Sequence, residues 1–580
     1  MANTLLDLFE KNHQLLEWRD KVTLLSRQLV MGFSGSSKAV VMASALSEQV
    51  PKILIVTSTQ NEAEQLTGDL SAILGEDKVY SFFADDVVAA EFIFASPEKT
   101  HSRLESLNFL IDKEASGVLV TSLVGTKLHL PNPEVYKDSR IDLTLGEEHD
   151  LEALSKHLTH IGYQRVEQVL SPGEFSRRGD ILDIYELTAE LPYRLEFFGD
   201  EIDGIRQFDS DSQKSLDNLE HVIVSPADDI ILTREDYQRA EKALESAVSK
   251  AEGSHKAYLE EVLSVTIDGY RHKDLRKFLS LFYDKAYTLF DYLPKEAPVF
   301  IDDFQKIVDR NGRLELEVAN LLTEDLHQGK SLSHLNYLVD SFKTLRNYQP
   351  ASFFSNFHKG LGNLKFDKLY QFTQYPMQEF FNQFPLLVDE IHRYTKNKAT
   401  VILQVGSEKQ LKSLKETLEE YDLDLPLSSF GDLIPHKPQL VLGNLSNGFY
   451  FADEKLVLVT EREIFHKKVK RRARASHVSN AERLKDYNEL EKGDYVVHHI
   501  HGIGQYLGIE TIEIKGIHRD YVSVQYQNGD QISIPVEQIQ LLSKYISSDG
   551  KAPKLNKLND GHFKKAKQKV KNQVEDIADD

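Results

Sequence analysis

Gln28-Leu29-Val30-Met31-Gly32-Phe33-Ser34-Gly35-Ser36-Ser37-Lys38-Ala39 reads as a short apolar run, a turn with two glycines, and a lysine that opens a helix-forming segment. That order is how a nucleotide-phosphate loop is built. Glycines let backbone amides close on phosphate, a lysine brings charge, and a Ser or Thr hydroxyl beside it holds magnesium. The glycine that should precede the lysine is Ser37, and the hydroxyl position is Ala39. Gly32, Gly35 and Lys38 therefore mark a degenerate phosphate loop that keeps its place in the fold and lacks its chemistry.

The same texture continues outward from the loop. Strands expected at 28–31, 53–57 and 117–121 alternate with helices at 38–48 and 61–74, the pattern of βαβ units and a parallel sheet. A further apolar strand at 298–301 runs into Asp302-Asp303, where an ATP-hydrolysing domain needs Asp-Glu. This strand is expected to return the chain to the first sheet, which makes the first domain discontinuous, 1–126 and 226–346. Between the two parts, 127–225 changes to short strands and hairpins at 181–185, 193–198 and 201–208, with Gly199-Asp200 as a two-residue turn. A helical, charged stretch at 235–291 leads back. Residues 347–466 read as a second α/β domain, and 467–489 as a basic linker with six Lys or Arg side chains within 467–474. An all-β domain at 490–546 follows, with Asn528-Gly529 as an expected turn, and 547–580 finishes as linker and polar helix. The fold class is α/β multidomain.

With 580 residues the chain is well beyond the roughly 250 to 300 at which one core stops growing. The absence of cysteine excludes disulfides, thiolate zinc sites and cysteine nucleophiles, and agrees with a cytoplasmic protein. No signal peptide is read in residues 1–22, and the apolar runs fall far short of the roughly 20 residues a membrane span needs. A net charge of −22, from 69 Lys+Arg against 91 Asp+Glu, argues against a nucleic-acid sleeve and restricts DNA contact to local patches such as 467–474. His498, His499 and His501 are not read as a metal site, because only 499 and 501 share a strand face and no thiolate assists.

Two long strings carry a resemblance. Pro172-Gly173-Glu174-Phe175-Ser176-Arg177-Arg178-Gly179-Asp180-Ile181-Leu182-Asp183-Ile184, with Pro192-Tyr193-Arg194-Leu195-Glu196-Phe197-Phe198, resembles the UvrA-binding module of UvrB and of the transcription-repair coupling factor (Mfd) family. Gly493-Asp494-Tyr495-Val496-Val497-His498-His499-Ile500-His501-Gly502-Ile503-Gly504, with Asp520-Tyr521-Val522 and Ile534-Pro535-Val536, is similar to that family's RNA-polymerase-interacting, CarD-like (Tudor-like) domain. UvrB has no such domain, so the pair selects the coupling factors.

The resemblance implies a degenerate helicase-like domain with an inserted β-rich module. It implies UvrA and the RNA polymerase β subunit as partners, no membrane, and DNA contact mainly through an ATP- and magnesium-dependent motor expected beyond residue 580. The short connection at 124–136 leaves no room for the β-hairpin with which UvrB clamps damaged DNA. For this chain itself the expectation is no catalytic residue and no cofactor. By family position Arg178, Arg194 and Phe198 would meet UvrA, with Arg165 and Arg206 as weaker candidates. The competing reading pairs the arginines with Asp180 or Glu196 and buries Phe198 in the core. Thr511, Ile512 and Glu513, on a strand at 508–514, would extend a sheet of the polymerase, with Ile512 an ordinary core residue in the competing reading. Two further readings remain open at this point: a chain that hydrolyses ATP itself, and a CarD-like transcription regulator.

Overall fold

The computed structural model describes residues 4–9, 12–93, 97–210, 212–355, 361–466, 493–498, 502–514, 517–527, 530–535, 542–544 and 555. The chain forms two compact units, Met1–Ala473 and Arg474–Asp580. The basic run 467–474, His499, His501, the expected Asn528-Gly529 turn and the expected final helix lie outside the described residues.

The first unit is organised on a seven-stranded sheet. Its order is Lys368–Gln371, Arg27–Met31, Ala351–Ser355, Val299–Asp302, Lys52–Thr57, Gly117–Ser122 and Val79–Phe82, and every pairing is parallel. The central strands are buried throughout and mostly apolar, as a sheet covered on both faces requires. Val299–Asp302 joins this sheet between Ala351–Ser355 and Lys52–Thr57. The boundary placed at 347 is corrected: Ala351–Ser355 and Lys368–Gln371 pair with Arg27–Met31 and complete the first sheet. Phe353 and Phe354 are buried in it. The helix after the loop spans Ser36–Ala43, shorter than expected.

The inserted module is a six-stranded sheet in the order Ser215–Leu219, Glu201–Phe208, Tyr193–Phe198, Ile181–Ile184, Glu174–Arg178 and Gln164–Arg165. Its inward residues, among them Phe175, Leu182, Ile184, Leu195 and Phe197, belong to one core with Leu54, Phe82 and Ile301 of the first sheet. A buried charge cluster ties the module's exit to that sheet's flanking helices. Arg103 meets Glu91 at 2.5 Å and Asp229 at 2.9 Å, and Arg276 meets Asp229 at 2.5 Å. Burial works to raise the Asp229 carboxyl, and the Arg276 and Arg103 guanidiniums overcome it, holding it well below the usual carboxylate range.

The second α/β domain has a six-stranded sheet in the order Gln374–Pro376, Phe449–Phe451, Leu456–Thr460, Thr400–Val405, Pro438–Leu442 and Leu427–Ser428. It shares a core with the first: Phe33 lies 4.7 Å from Phe372 and 5.7 Å from Phe451, and Phe9 packs edge-on to Phe451 at 4.9 Å. No helix among the described residues is long and apolar enough to cross a membrane.

Arg474–Asp580 contains a five-stranded antiparallel sheet in the order Gln531–Pro535, Ile517–Gln525, Gly502–Ile514, Tyr495–His498 and Leu542–Lys544. Val496, Val522, Val524 and Tyr526 are buried in it.

Candidate functional site

The degenerate phosphate loop sits at the C-terminal end of Arg27–Met31, where ligands of open α/β sheets bind, and the chain's own atoms fill it. Gly32 has φ +97°, and a Cβ there would lie 2.0 Å from the carbonyl oxygen of Phe372, so only glycine fits. Gly35 has φ +56°, and a Cβ would stand 3.0 Å from Cβ of Asn447. Ser37, the residue that replaces the required glycine, stitches the turn to itself: its hydroxyl donates to Ser34 O at 2.7 Å and accepts from Ser34 N at 3.1 Å. The same Ser34 N–H also donates to Gln374 Oε1 at 3.2 Å.

Residues of the second α/β domain complete the filling. The Ser36 hydroxyl donates to Asp69 at 2.8 Å and accepts from Asn447 N at 2.9 Å, while Ser446 donates to Asp69 from its backbone N–H and its hydroxyl, each at 2.8 Å. Asp69 is buried and accepts from these donors, which satisfy a polar group that would be costly to bury unpaired. Asp69→Ala is expected to lower the stability of this joint by roughly 3 kcal/mol, because buried donors lose their acceptor. The check is an earlier urea transition for this unit, partly restored by Asp69→Asn.

The charges of an ATP site are neutralised in the same internal way. Lys38 Nζ, which would meet phosphate, lies 2.5 Å from Asp302, which would meet magnesium. Asp303 adopts a left-handed conformation, φ 54° and ψ 73°, and caps helix Phe304–His327 by accepting from Lys306 N. Lys306 in turn pairs with Glu62 at 2.9 Å.

The outward face of the inserted module presents a different arrangement. Residues 194, 196 and 198 alternate with buried Leu195 and Phe197, so the former share the outer face. Phe198 is 82% exposed, which removes the core reading for it. The arginines are ion-paired as the competing reading expected, but the partner is neither Asp180 nor Glu196. Arg194 grips Asp183 through Nε at 2.7 Å and its terminal nitrogen at 2.9 Å, and Arg178 reaches the same carboxylate at 2.8 Å.

Asp183 is fully buried beneath them, while the Arg178 side chain is half exposed and that of Arg194 only 13% exposed. The Arg194 guanidinium also lies 4.4 Å from the Phe208 ring and donates to Gln213 O at 3.2 Å. Its bonds to Asp183 push its pKa further up, so it is a fixed cation. Arg206 pairs with Glu196 at 2.7 Å, and Arg165 is exposed on the edge strand. The outer face of this strand carries exposed Phe198 and, four residues away, the Arg194 guanidinium held by a buried acid. Asp183 was missed in the sequence, although a lone acid between Leu182 and Ile184 is the signal that could have found it.

In the C-terminal unit, Thr511, Ile512 and Glu513 pair with Asp520, Arg519 and His518 across the hairpin Gly502–Ile514 and Ile517–Gln525. Strand Tyr495–His498 covers the other side of Gly502–Ile514 only at 502–505, and Gly493 and Asp494 extend that cover to Tyr506. Among the described residues, 508–514 is therefore paired along one side only.

Three family models match in order: the UvrB interaction domain at 141–229, the MFD D3 domain at 394–464, and the CarD-like/TRCF RID domain at 490–546. The transcription-repair-coupling factor of Bacillus subtilis (strain 168) is 35% identical over 568 residues, 96% of this chain and 48% of the relative. Those of Staphylococcus haemolyticus and Staphylococcus aureus are 32% identical over 562 residues, 95% of the chain. The chain thus spans about half the length of the relatives it matches. Its three matched domains, and an identity that runs through nearly all of its residues, make the chain similar to the transcription-repair-coupling factors.

Proposed function

We propose that this chain is a contact scaffold of transcription-coupled nucleotide excision repair, acting in the cytoplasm. The outer face of the inserted module receives UvrA through Phe198, Arg194 and Arg178. The half-paired strand at 508–514 adds itself to a sheet of the RNA polymerase β subunit, with Thr511, Ile512 and Glu513 at the join. ATP-driven movement along DNA and release of polymerase belong, on this reading, to the family's motor and not to these 580 residues. The observation that carries the proposal is the 82% exposure of Phe198 on a strand whose other residues are buried or half-buried. Large aromatics beside arginines are the residues on which binding energy concentrates. The polymerase side rests on the free side of 508–514, since an unpaired strand edge offers backbone bonds to an incoming strand.

The test is a variant of the strand at 508–514 read against both partners. Ile512→Arg is expected to weaken polymerase binding by about 30-fold or more, as loss of a central anchor does, and to leave UvrA binding unchanged. The two partners are measured by titration against the purified chain. Equal loss toward both partners would contradict separate docking faces.

A further inference from the structure

At the opposite strand ends of the seven-stranded sheet from the Lys38 loop lies a recess of about 340 Å³. It opens at the N-terminal ends of Arg27–Met31 and Ala351–Ser355 and is lined by Arg27, Lys343, Arg346, Asn347 and Asn363. Three cations and two amides therefore face one small volume, and no carboxylate lines it. The Asp367 carboxylate accepts the backbone N–H of Arg27 at 3.1 Å. The Arg27 guanidinium reaches Asn347 Oδ1 at 3.4 Å, and its Nε is buried without a hydrogen-bond partner. A buried N–H of a fixed cation without an acceptor is costly unless something else supplies one.

The recess is preformed. Lys343 and Arg346 stand on helix Phe342–Asn347, one turn apart and thus neighbours. Leu345 of that helix is fully buried, Phe342 stacks on Phe304 with ring centroids 6.1 Å apart, and Phe342 and Leu364 form the apolar wall. Position separates it from the family's relic nucleotide loop, since the two lie at opposite strand ends.

We propose that this recess binds an oligophosphate group. Arginine and lysine together favour phosphate, whose several oxygens accept from a fork and a point donor at once. Three positive charges meeting in one recess, with no carboxylate in its lining among the described residues, call for a ligand with more than one negative charge. A carboxylate side chain brings only one. On a chain of net charge −22, such a cluster stands against the general surface. The phosphates could be those of a free small molecule or of a nucleic-acid strand, and the volume suits a small ligand.

The test uses the 580-residue chain, with sodium tripolyphosphate and a short single-stranded oligonucleotide as probes and a glutamate-rich peptide as control. Binding of either phosphate probe is expected to fall about tenfold or more in Lys343→Gln/Arg346→Gln, since charge-assisted bonds to both residues are lost. Both side chains are exposed, so the thermal transition should not move. Lys38→Ala should leave probe binding unchanged, as should Phe198→Ala. Tripolyphosphate binding alone would identify a small ligand, and oligonucleotide binding alone a strand. Absence of binding by both phosphate probes, equal binding in the double variant, or capture of the peptide in their place would overturn the proposal.

Discussion

Phe198→Ala is expected to weaken UvrA binding by about 30-fold or more while leaving the unfolding of the chain unchanged. The magnitude is that of a central aromatic anchor, 2 kcal/mol or more. The neutrality toward folding follows from exposure, since a side chain with four-fifths of its surface in water has little packing to lose. Arg194→Ala should behave differently. Its guanidinium closes over Asp183, which has no exposure of its own, and its loss leaves that carboxylate with Arg178 as its one named partner. Removing one side of a buried pair costs roughly 3 kcal/mol or more, and the contact with Phe208 is lost with it.

Arg194→Ala should therefore lose UvrA and destabilise the inserted module together, so its binding defect cannot be assigned to contact alone. Arg194→Lys keeps the charge but not the fork and should fall between the two. Titration of UvrA against each variant, paired with urea unfolding, reads both effects. Wild-type affinity in Phe198→Ala would remove this face from the interaction.

How much of this was legible in the sequence follows from which signals are local. The hairpin strands 193–198 and 201–208 were read with the bounds they have, because alternation and a Gly-Asp turn are written in adjacent residues. The strand before Asp302 was legible for the same reason, since four apolar residues end in a pair of acids. The boundary at 347 was misplaced because Ala351–Ser355 and Lys368–Gln371 reveal their sheet only through partners distant in sequence, Arg27–Met31 for both and Val299–Asp302 for the first. The filling of the phosphate loop was invisible for that reason as well. Ser446 and Asn447 lie in an ordinary Asn-Leu-Ser-Asn-Gly loop, and nothing local says that they reach Ser36 and Asp69. The sequence showed that the loop had lost its magnesium ligand. It did not show that the vacated space had become a joint between two domains.

That joint leads to the second large effect. Ser37→Gly with Ala39→Thr restores the phosphate-loop pattern letter by letter, yet it is expected to create no ATPase. The Phe372 carbonyl still stands against Gly32, Asn447 still stands against Gly35, and Lys38 still has Asp302 as its counter-ion. Opening the loop to a nucleotide would require breaking the Ser36, Asp69 and Ser446 bonds and the aromatic contacts of Phe33. Ser37→Gly also removes the hydroxyl that bonds Ser34 twice, so the double variant should be less stable than the parent and no more active.

The claim that this chain works by contact and not by turnover is tested most directly by Mg·ATP binding and phosphate release on the purified 580 residues, compared with Lys38→Ala. The account predicts no phosphate release above background and no nucleotide binding that depends on Lys38. Saturable Mg·ATP binding with hydrolysis, abolished by Lys38→Ala, would contradict it.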